Sequence, residues 1–334
     1  MHRGLIERAL ISVGPPAALL VLAAMITGAL GCTQGSEVIV YHAASLRRVM
    51  ADAAQQFQRE NPGVIVRLDP GGSQLLARKI SEMNMRPDVL AVADAQIITR
   101  LLVPRHAEWS LVFATNEIVL AHMDHSLLTA KITAQNWPTI LLRKDVRLGC
   151  VNPDLAPLGY HTVFVWQLAA RTPVGAGAGP ELPTRLAARC AGEHAATDET
   201  ELLGLLEAKA VDYAFMYRST AQDHRLKLVT LPPEINLSRA ELDKEYQAAA
   251  TEVRLAGKGA KTTLNGHVIT YGLTIPAGAP NQAGAERFVA FLLGPHGQRI
   301  LQRAGLVPMT PARVDAGATS VPASVQSLVS SGGR

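Results

Sequence analysis

Between residues 38 and 93 the apolar residues switch repeatedly between two periods, and this alternation constrains the fold more than any other feature. Residues 38–41 (VIVY) are a short apolar run. Leu46, Val49, Met50, Ala53 and Phe57 then recur at helical spacing until Asn61-Pro62-Gly63 stops the helix. Residues 64–68 read as a second strand, Pro70-Gly71-Gly72-Ser73 as a tight turn, and Leu75, Leu76, Ile80 and Met83 as a second amphipathic helix. Residues 88–93 are nearly all apolar, as expected of a strand covered by helices on both faces. The unit is β-α-β-α-β, a doubly wound α/β half-sheet in which ligands bind beyond the carboxyl ends of the strands.

Ser45 and Ser73 fall at those ends, after consecutive strands. A serine at a helix start is ordinarily an N-cap. Two on one rim, preceded by Ala44 and by Gly71-Gly72, also make an anion seat, because first-turn amides and the helix dipole face the same space. No Gly-Lys-Ser/Thr follows to make a Walker A loop, no Rossmann glycine pattern follows the first strand, and Gly71-Gly72-Ser73-Gln74-Leu75 lacks the second glycine of a nucleophile elbow.

Residues 111–121 (LVFATNEIVLA) read as one long strand able to cross between domains. A strand at 146–151, a loop 152–159 and a helix at 160–170 make a third junction that aims amides at a rim. Residues 171–183 are Gly/Ala/Pro-rich and read as a flexible excursion. A helix at 199–209, a strand at 211–217, a loosely patterned stretch at 221–261, a strand at 268–275 and helices at 281–294 and 297–304 follow. Residues 315–334 lack apolar periodicity and read as a disordered tail.

Arg3 and Arg8 precede an apolar run that ends in Ala29-Leu30-Gly31-Cys32, so residues 1–31 read as an export signal and Cys32 as a lipidation site. Simple cleavage without lipidation and an uncleaved anchor helix, disfavoured by Pro15 and Pro16, are the alternatives. Of the remaining thiols, Cys150 and Cys190 either bridge in an oxidising compartment or stay as buried free thiols. A net charge of +4 and 4% aromatic residues leave no basic stripe and no stacking platform, which excludes nucleic acid as a partner. His122, Asp124 and His125 read as a polar turn, not a metal site. Arg47, Arg48 and Arg78 read as solvated helix faces near the rim.

HAASL at 42–46, FQRENPGV at 57–64, GGSQLLARKI at 71–80, DVLAVAD at 88–94, WSLVFATNEIVLAH at 109–122, NPDLAPLGY at 152–160, VDYAFMYRS at 211–219 and ITYGLTIPAGAPN at 269–281 occur in order. Together they resemble the tungstate/molybdate-binding proteins of ABC transporters, over nearly all of the chain between the signal and the tail. The resemblance implies a two-lobed periplasmic-binding-protein fold (type II), with lobe one at 37–115 plus 270–314 and lobe two at 116–269. It implies a monomeric receptor, anchored outside the cytoplasm, that delivers molybdate or tungstate to a membrane permease; no enzyme activity, cofactor or free metal cation is expected.

Carried across by position, the resemblance puts the binding hydroxyls on Ser45, Ser73 and Tyr217. It puts backbone amides at Leu158 and Glu199, with Ala44, Gly72 and Gly159 beside them and the Glu199 carboxylate turned away from the anion. Archaeal-type relatives complete a metal shell with two carboxylates at positions that here hold Ala156 and Met216. The expectation is therefore hydrogen-bond-only recognition, in a pocket opened by Ala156 and floored by Met216. Asp154 is not expected to substitute, because the loop into Pro157 redirects it. A receptor for sulfate or thiosulfate is the alternative within the class. Outside it stand an exported hydrolase using Ser45 or Ser73 with His42 or His161, and an adaptor lipoprotein that has lost its site.

Overall fold

A computed structural model of the chain describes residues 36–190, 192–255, 259, 261–315 and 321–330. The expected signal peptide and Cys32 lie outside the described residues. The chain opens with β1 (Ser36–Ala43), a 3-10 turn at Ala44–Leu46, α1 (Arg47–Glu60), β2 (Val64–Gly71), α2 (Ser73–Ser81), β3 (Val89–Val92) and α3 (Gln96–Leu101). β1 pairs in parallel with both β2 and β3, so the doubly wound unit forms as its periodicity predicts. β3 is buried along its whole length, as a strand with helices on both faces requires.

The expected single strand at 111–121 is two: β4 (Leu111–Thr115) and β5 (Ile118–His122). They break at Asn116-Glu117 because each joins a different sheet. There follow α4 (Trp137–Leu141), β6 (Leu148–Val151), α5 (Pro157–Ala169), α6 (Leu182–Arg189), β7 (Ala195–Ala196), α7 (Glu199–Glu207), β8 (Tyr213–Tyr217), α8 (Arg218–Asp223) and β9 (Lys227–Thr230). The stretch at 171–183 is folded, with 3-10 turns at Pro173–Gly175 and Gly179–Glu181. It is held by close backbone packing: a Cβ on Gly175 would stand 2.3 Å from the Ala169 carbonyl oxygen. Cys150 and Cys190 are disulfide-bonded, with Cα atoms 5.5 Å apart, which pins the end of α6 to β6.

The chain continues through α9 (Asp243–Tyr246), the hairpin β10 (Ala250–Val253) and β11 (Thr262–Asn265), β12 (Thr270–Thr274), α10 (Gln282–Leu293), α11 (Pro295–Arg303) and β13 (Val307–Val314). The tail expected to be disordered instead supplies α12 (Ala323–Gln326) and β14 (Val329–Ser330). β14 pairs with β13 and Val325 is fully buried, so one apolar anchor and an open sheet edge order a segment that lacks periodicity.

Two sheets result. The larger has the order β14-β13-β4-β12-β3-β1-β2 and the smaller β7-β6-β8-β5-β9. The chain passes between them at Asn116-Glu117 and returns before β12, which runs antiparallel to β3 and β4. At the outgoing crossing, Asn116 Nδ2 donates to Ser219 Oγ at 2.8 Å and to the Tyr271 hydroxyl at 3.2 Å. The Glu117 carboxylate accepts from Asn236 Nδ2 at 2.7 Å and from the Arg218 guanidinium.

Candidate functional site

The carboxyl ends of β1 and β2 and the start of α5 converge on one small cavity of about 10 Å³. Its lining includes Ala44, Ser45, Gly72, Ser73, Ala156, Leu158, Glu199 and Tyr217. A volume of that order holds little more than one water-sized group centre, so only a compact solute suits it.

Ser45 does not cap a helix. The cap of α1 is Leu46, with no side-chain bond, and Ser45 Oγ instead accepts from the Tyr271 hydroxyl at 3.0 Å. Ser73 is fully buried and its Oγ accepts the Ala93 N–H at 3.1 Å. A hydroxyl that accepts from a fixed donor keeps its own hydrogen for another partner. Leu158 lies in the first turn of α5, where N–H groups have no intrahelical acceptor.

Gly72 is a glycine for a steric reason. A Cβ there would stand 2.5 Å from the Leu155 carbonyl oxygen and 3.3 Å from the Ala156 Cβ, so backbone from the two sheets' loops meets at this point. Nearby polar contacts span the same gap: Arg47 Nη2 donates to Thr200 Oγ1 at 3.3 Å, and Arg48 Nη1 lies 3.4 Å from Asp223 Oδ1. Gln74 Nε2 donates to the Pro153 carbonyl at 3.1 Å. The arginines read as solvated faces therefore reach across the cleft.

Two expected site residues do not reach the cavity. Gly159 donates its N–H to the Ala156 carbonyl at 3.0 Å, and a Cβ there would stand 2.6 Å from the Pro153 backbone, so its role is close packing under the 152–155 loop. Met216 is fully buried in β8 and absent from the cavity lining. Successive strand residues point to opposite faces, so Met216 and Tyr217 cannot both look into the cleft.

Glu199 brings more than its backbone. It is 4% exposed, and Oε1 accepts the Tyr217 N–H at 3.2 Å, while Oε2 has no hydrogen-bond partner among the described residues. Burial raises its pKa to about 8, so the carboxyl carries a proton at neutral pH. The other carboxyl of the lining, Asp198, caps α7 by accepting from the Thr200 and Glu201 N–H groups.

Tyr217 is likewise buried, and its hydroxyl lies 2.9 Å from His161 Nδ1. Burial lowers the pKa of His161 to about 3, which keeps the ring neutral. Behind it, Asp94 accepts from the Tyr160 hydroxyl at 2.6 Å, and its Oδ2 lies 3.2 Å from His267 Nε2. Burial opposes charge on both partners of that pair, but their attraction wins, lowering Asp94 and raising His267. The sequence reading found neither Tyr271 nor the Asp94–His267 pair. His42, weighed for hydrolysis, is buried with its Nδ1 on the Ala43 carbonyl at 2.9 Å, and burial lowers its pKa to about 4.

Residues 38–307 match the family model described as "Bacterial extracellular solute-binding protein". The chain belongs to that family, whose members bind solutes and are not enzymes. It is 35% identical over 275 residues to an uncharacterized solute-binding protein of Petrotoga mobilis, covering 82% of this chain and 84% of that one. It is 32% identical over 285 residues to the molybdate/tungstate-binding protein WtpA of Thermococcus kodakarensis, covering 79% of each. The periplasmic molybdate-binding protein of Azotobacter vinelandii superposes with a TM-score of 0.58 at 18% identity, over 81% of this chain and 98% of that one. The fold is thus the two-lobed periplasmic-binding-protein fold.

Proposed function

We propose that this chain is the extracytoplasmic receptor of an ABC importer and that it captures molybdate or tungstate in the cavity between Ser45, Ser73 and Tyr217. The observation that carries this reading is the convergence of two strand-end serine hydroxyls and the first turn of α5 on a cavity of about 10 Å³. A fully deprotonated oxyanion offers only acceptors, so donors from hydroxyls and amides reward it and disfavour solutes bearing a proton that needs an acceptor. Neutral donors also avoid burying an unpaired cation.

Recognition is by hydrogen bonds and not by carboxylate coordination. The Ala156 side chain has no oxygen to give, and Glu199 is in its neutral acid form, able to donate from Oε2. The Tyr217 hydroxyl and the Leu158 and Glu199 amides complete the donor set, with Ala44 and Gly72 supplying close backbone. Lobe one comprises 37–115 plus 270–314 and lobe two 116–269, a division supported by the two sheets. Residues 1–31 are removed on export, Cys32 carries the lipid anchor, and the loaded receptor docks on a membrane permease.

Isothermal titration with molybdate, tungstate and sulfate tests the reading. One equivalent of molybdate or tungstate should bind more tightly than sulfate, and the bound form should melt at a higher temperature. Tighter binding of sulfate overturns the choice of solute; no binding of any of the three overturns the receptor reading.

A further inference from the structure

Behind the oxyanion cavity three ligating side chains meet in the core: Asp94 after β3, His161 in α5 and His267 before β12. Asp94 is 1%, His161 0% and His267 9% exposed. One ligating atom from each lies within 4.8 Å of the others, with His267 Nε2 at 3.2 Å and His161 Nε2 at 4.0 Å from Asp94 Oδ2. His161 Nε2 is buried and makes no hydrogen bond among the described residues, while His267 Nε2 has only Asp94 beside it.

The far sides of the rings explain why this arrangement calls for a cation. His267 Nδ1 lies 2.9 Å from the Asn265 carbonyl, which only accepts, so Nδ1 bears the hydrogen. In the neutral ring that leaves a lone pair on Nε2. His161 Nδ1 faces the Tyr217 hydroxyl, an arrangement that suits the same tautomer. When a metal ion displaces the proton that His267 shares with Asp94, two lone pairs and a carboxylate oxygen converge on one point in the core. A proton shared by His267 and Asp94 satisfies those two but leaves His161 Nε2 without a partner.

We propose that Asp94, His161 and His267 form a site for one divalent transition-metal ion of the zinc class. With bonds of roughly 2.0–2.2 Å, the ligands of a tetrahedral ion stand about 3.3 Å apart, close to the Asp94–His267 separation; the other two separations, all within 4.8 Å, would close by side-chain adjustment on binding. Two imidazoles and one carboxylate select such an ion over calcium or magnesium, which take all-oxygen shells. The outer contacts suit the role, because the Asn265 carbonyl fixes the His267 tautomer and the Tyr160 hydroxyl orients the Asp94 carboxylate. His267 also lines a cavity of about 300 Å³ with Gln96, Asp243 and Thr270, so one of the three ligands borders solvent-sized space. The ion would join a residue of the larger sheet's layer to one on a helix of the smaller.

The test uses the purified protein stripped with a chelator and titrated with zinc chloride, then with cobalt(II) chloride. One equivalent of zinc should bind with a micromolar or tighter dissociation constant. The melting temperature should rise by roughly 5 °C with zinc at a hundredfold excess over that constant, and cobalt should give the strong visible bands of a tetrahedral ion. His267→Gln, at the cavity edge, and His161→Gln should each weaken zinc at least tenfold while the far-UV circular dichroism is unchanged. Absence of zinc binding by the wild-type protein overturns the proposal, as does zinc binding that both variants retain, or binding of calcium in preference to zinc.

Discussion

Replacing Glu199 by glutamine removes a titrating group from the cavity with almost no change of shape. The amide keeps an oxygen to accept the Tyr217 N–H, the contact that Oε1 makes at 3.2 Å. Because burial raises the pKa from 4.5 to about 8, the folded chain binds a proton that the unfolded chain has released across that interval. Stability therefore falls as pH rises from 4.5 to about 8 and levels off above it. At about 1.36 kcal/mol per pH unit above 4.5, the cost at pH 7 is roughly 3 kcal/mol. Urea unfolding of both proteins between about pH 4.5 and 8.5 isolates this cost, since titrations common to both cancel in the difference. Glu199→Gln should match the wild type at the acid end and gain up to roughly 3 kcal/mol over it by pH 7. A difference that stays constant with pH would refute a protonated, buried Glu199. Oxyanion affinity adds a second readout: the wild type should lose affinity above pH 8, where an ionised Glu199 repels the ligand, and the glutamine variant should not.

Ser45→Ala and Ser73→Ala should each weaken molybdate or tungstate roughly ten- to hundredfold by calorimetry, the range for a hydrogen bond to a charged group. Gly72→Ala should nearly abolish oxyanion binding while leaving the fold intact, since its methyl would meet the Leu155 carbonyl as the lobes close; small-angle scattering should show a larger radius of gyration in the presence of ligand than for the wild type. Cys150→Ser with Cys190→Ser should cost about 4 kcal/mol in urea unfolding, from the closure entropy of the chain between the two cysteines.

The doubly wound unit and its two seryl strand ends were legible because periodicity and turn residues are local, and the family resemblance supplied the second lobe. Met216 was misjudged because a position carried over from relatives ignores which face of a strand it occupies. The role of Glu199 was only half legible: its place at the start of α7 followed from spacing, but its buried, protonated carboxyl depends on β8 packing against it. The contacts that organise the rear of the site were out of reach, since Tyr271 meets Ser45 across 226 positions and Tyr160 meets Asp94 across 66. No local pattern records such pairs. The strand at 329–330 was missed for the same reason, because β14 is a strand only by virtue of β13.

The meeting of Gly72 with the Leu155 carbonyl bears on how the receptor can be redesigned. A pocket wall made of side chains is widened by trimming them, but at this point the wall is a residue without a side chain facing a peptide oxygen, and nothing there is left to trim. On the proposed site, changing how far the lobes turn is then one way to accommodate larger solutes. The mutable positions for that purpose lie at the crossing, where Asn116 and Glu117 are tied to Ser219, Tyr271 and Asn236. On the proposed site, selectivity is then set at the crossing, by residues absent from the cavity lining.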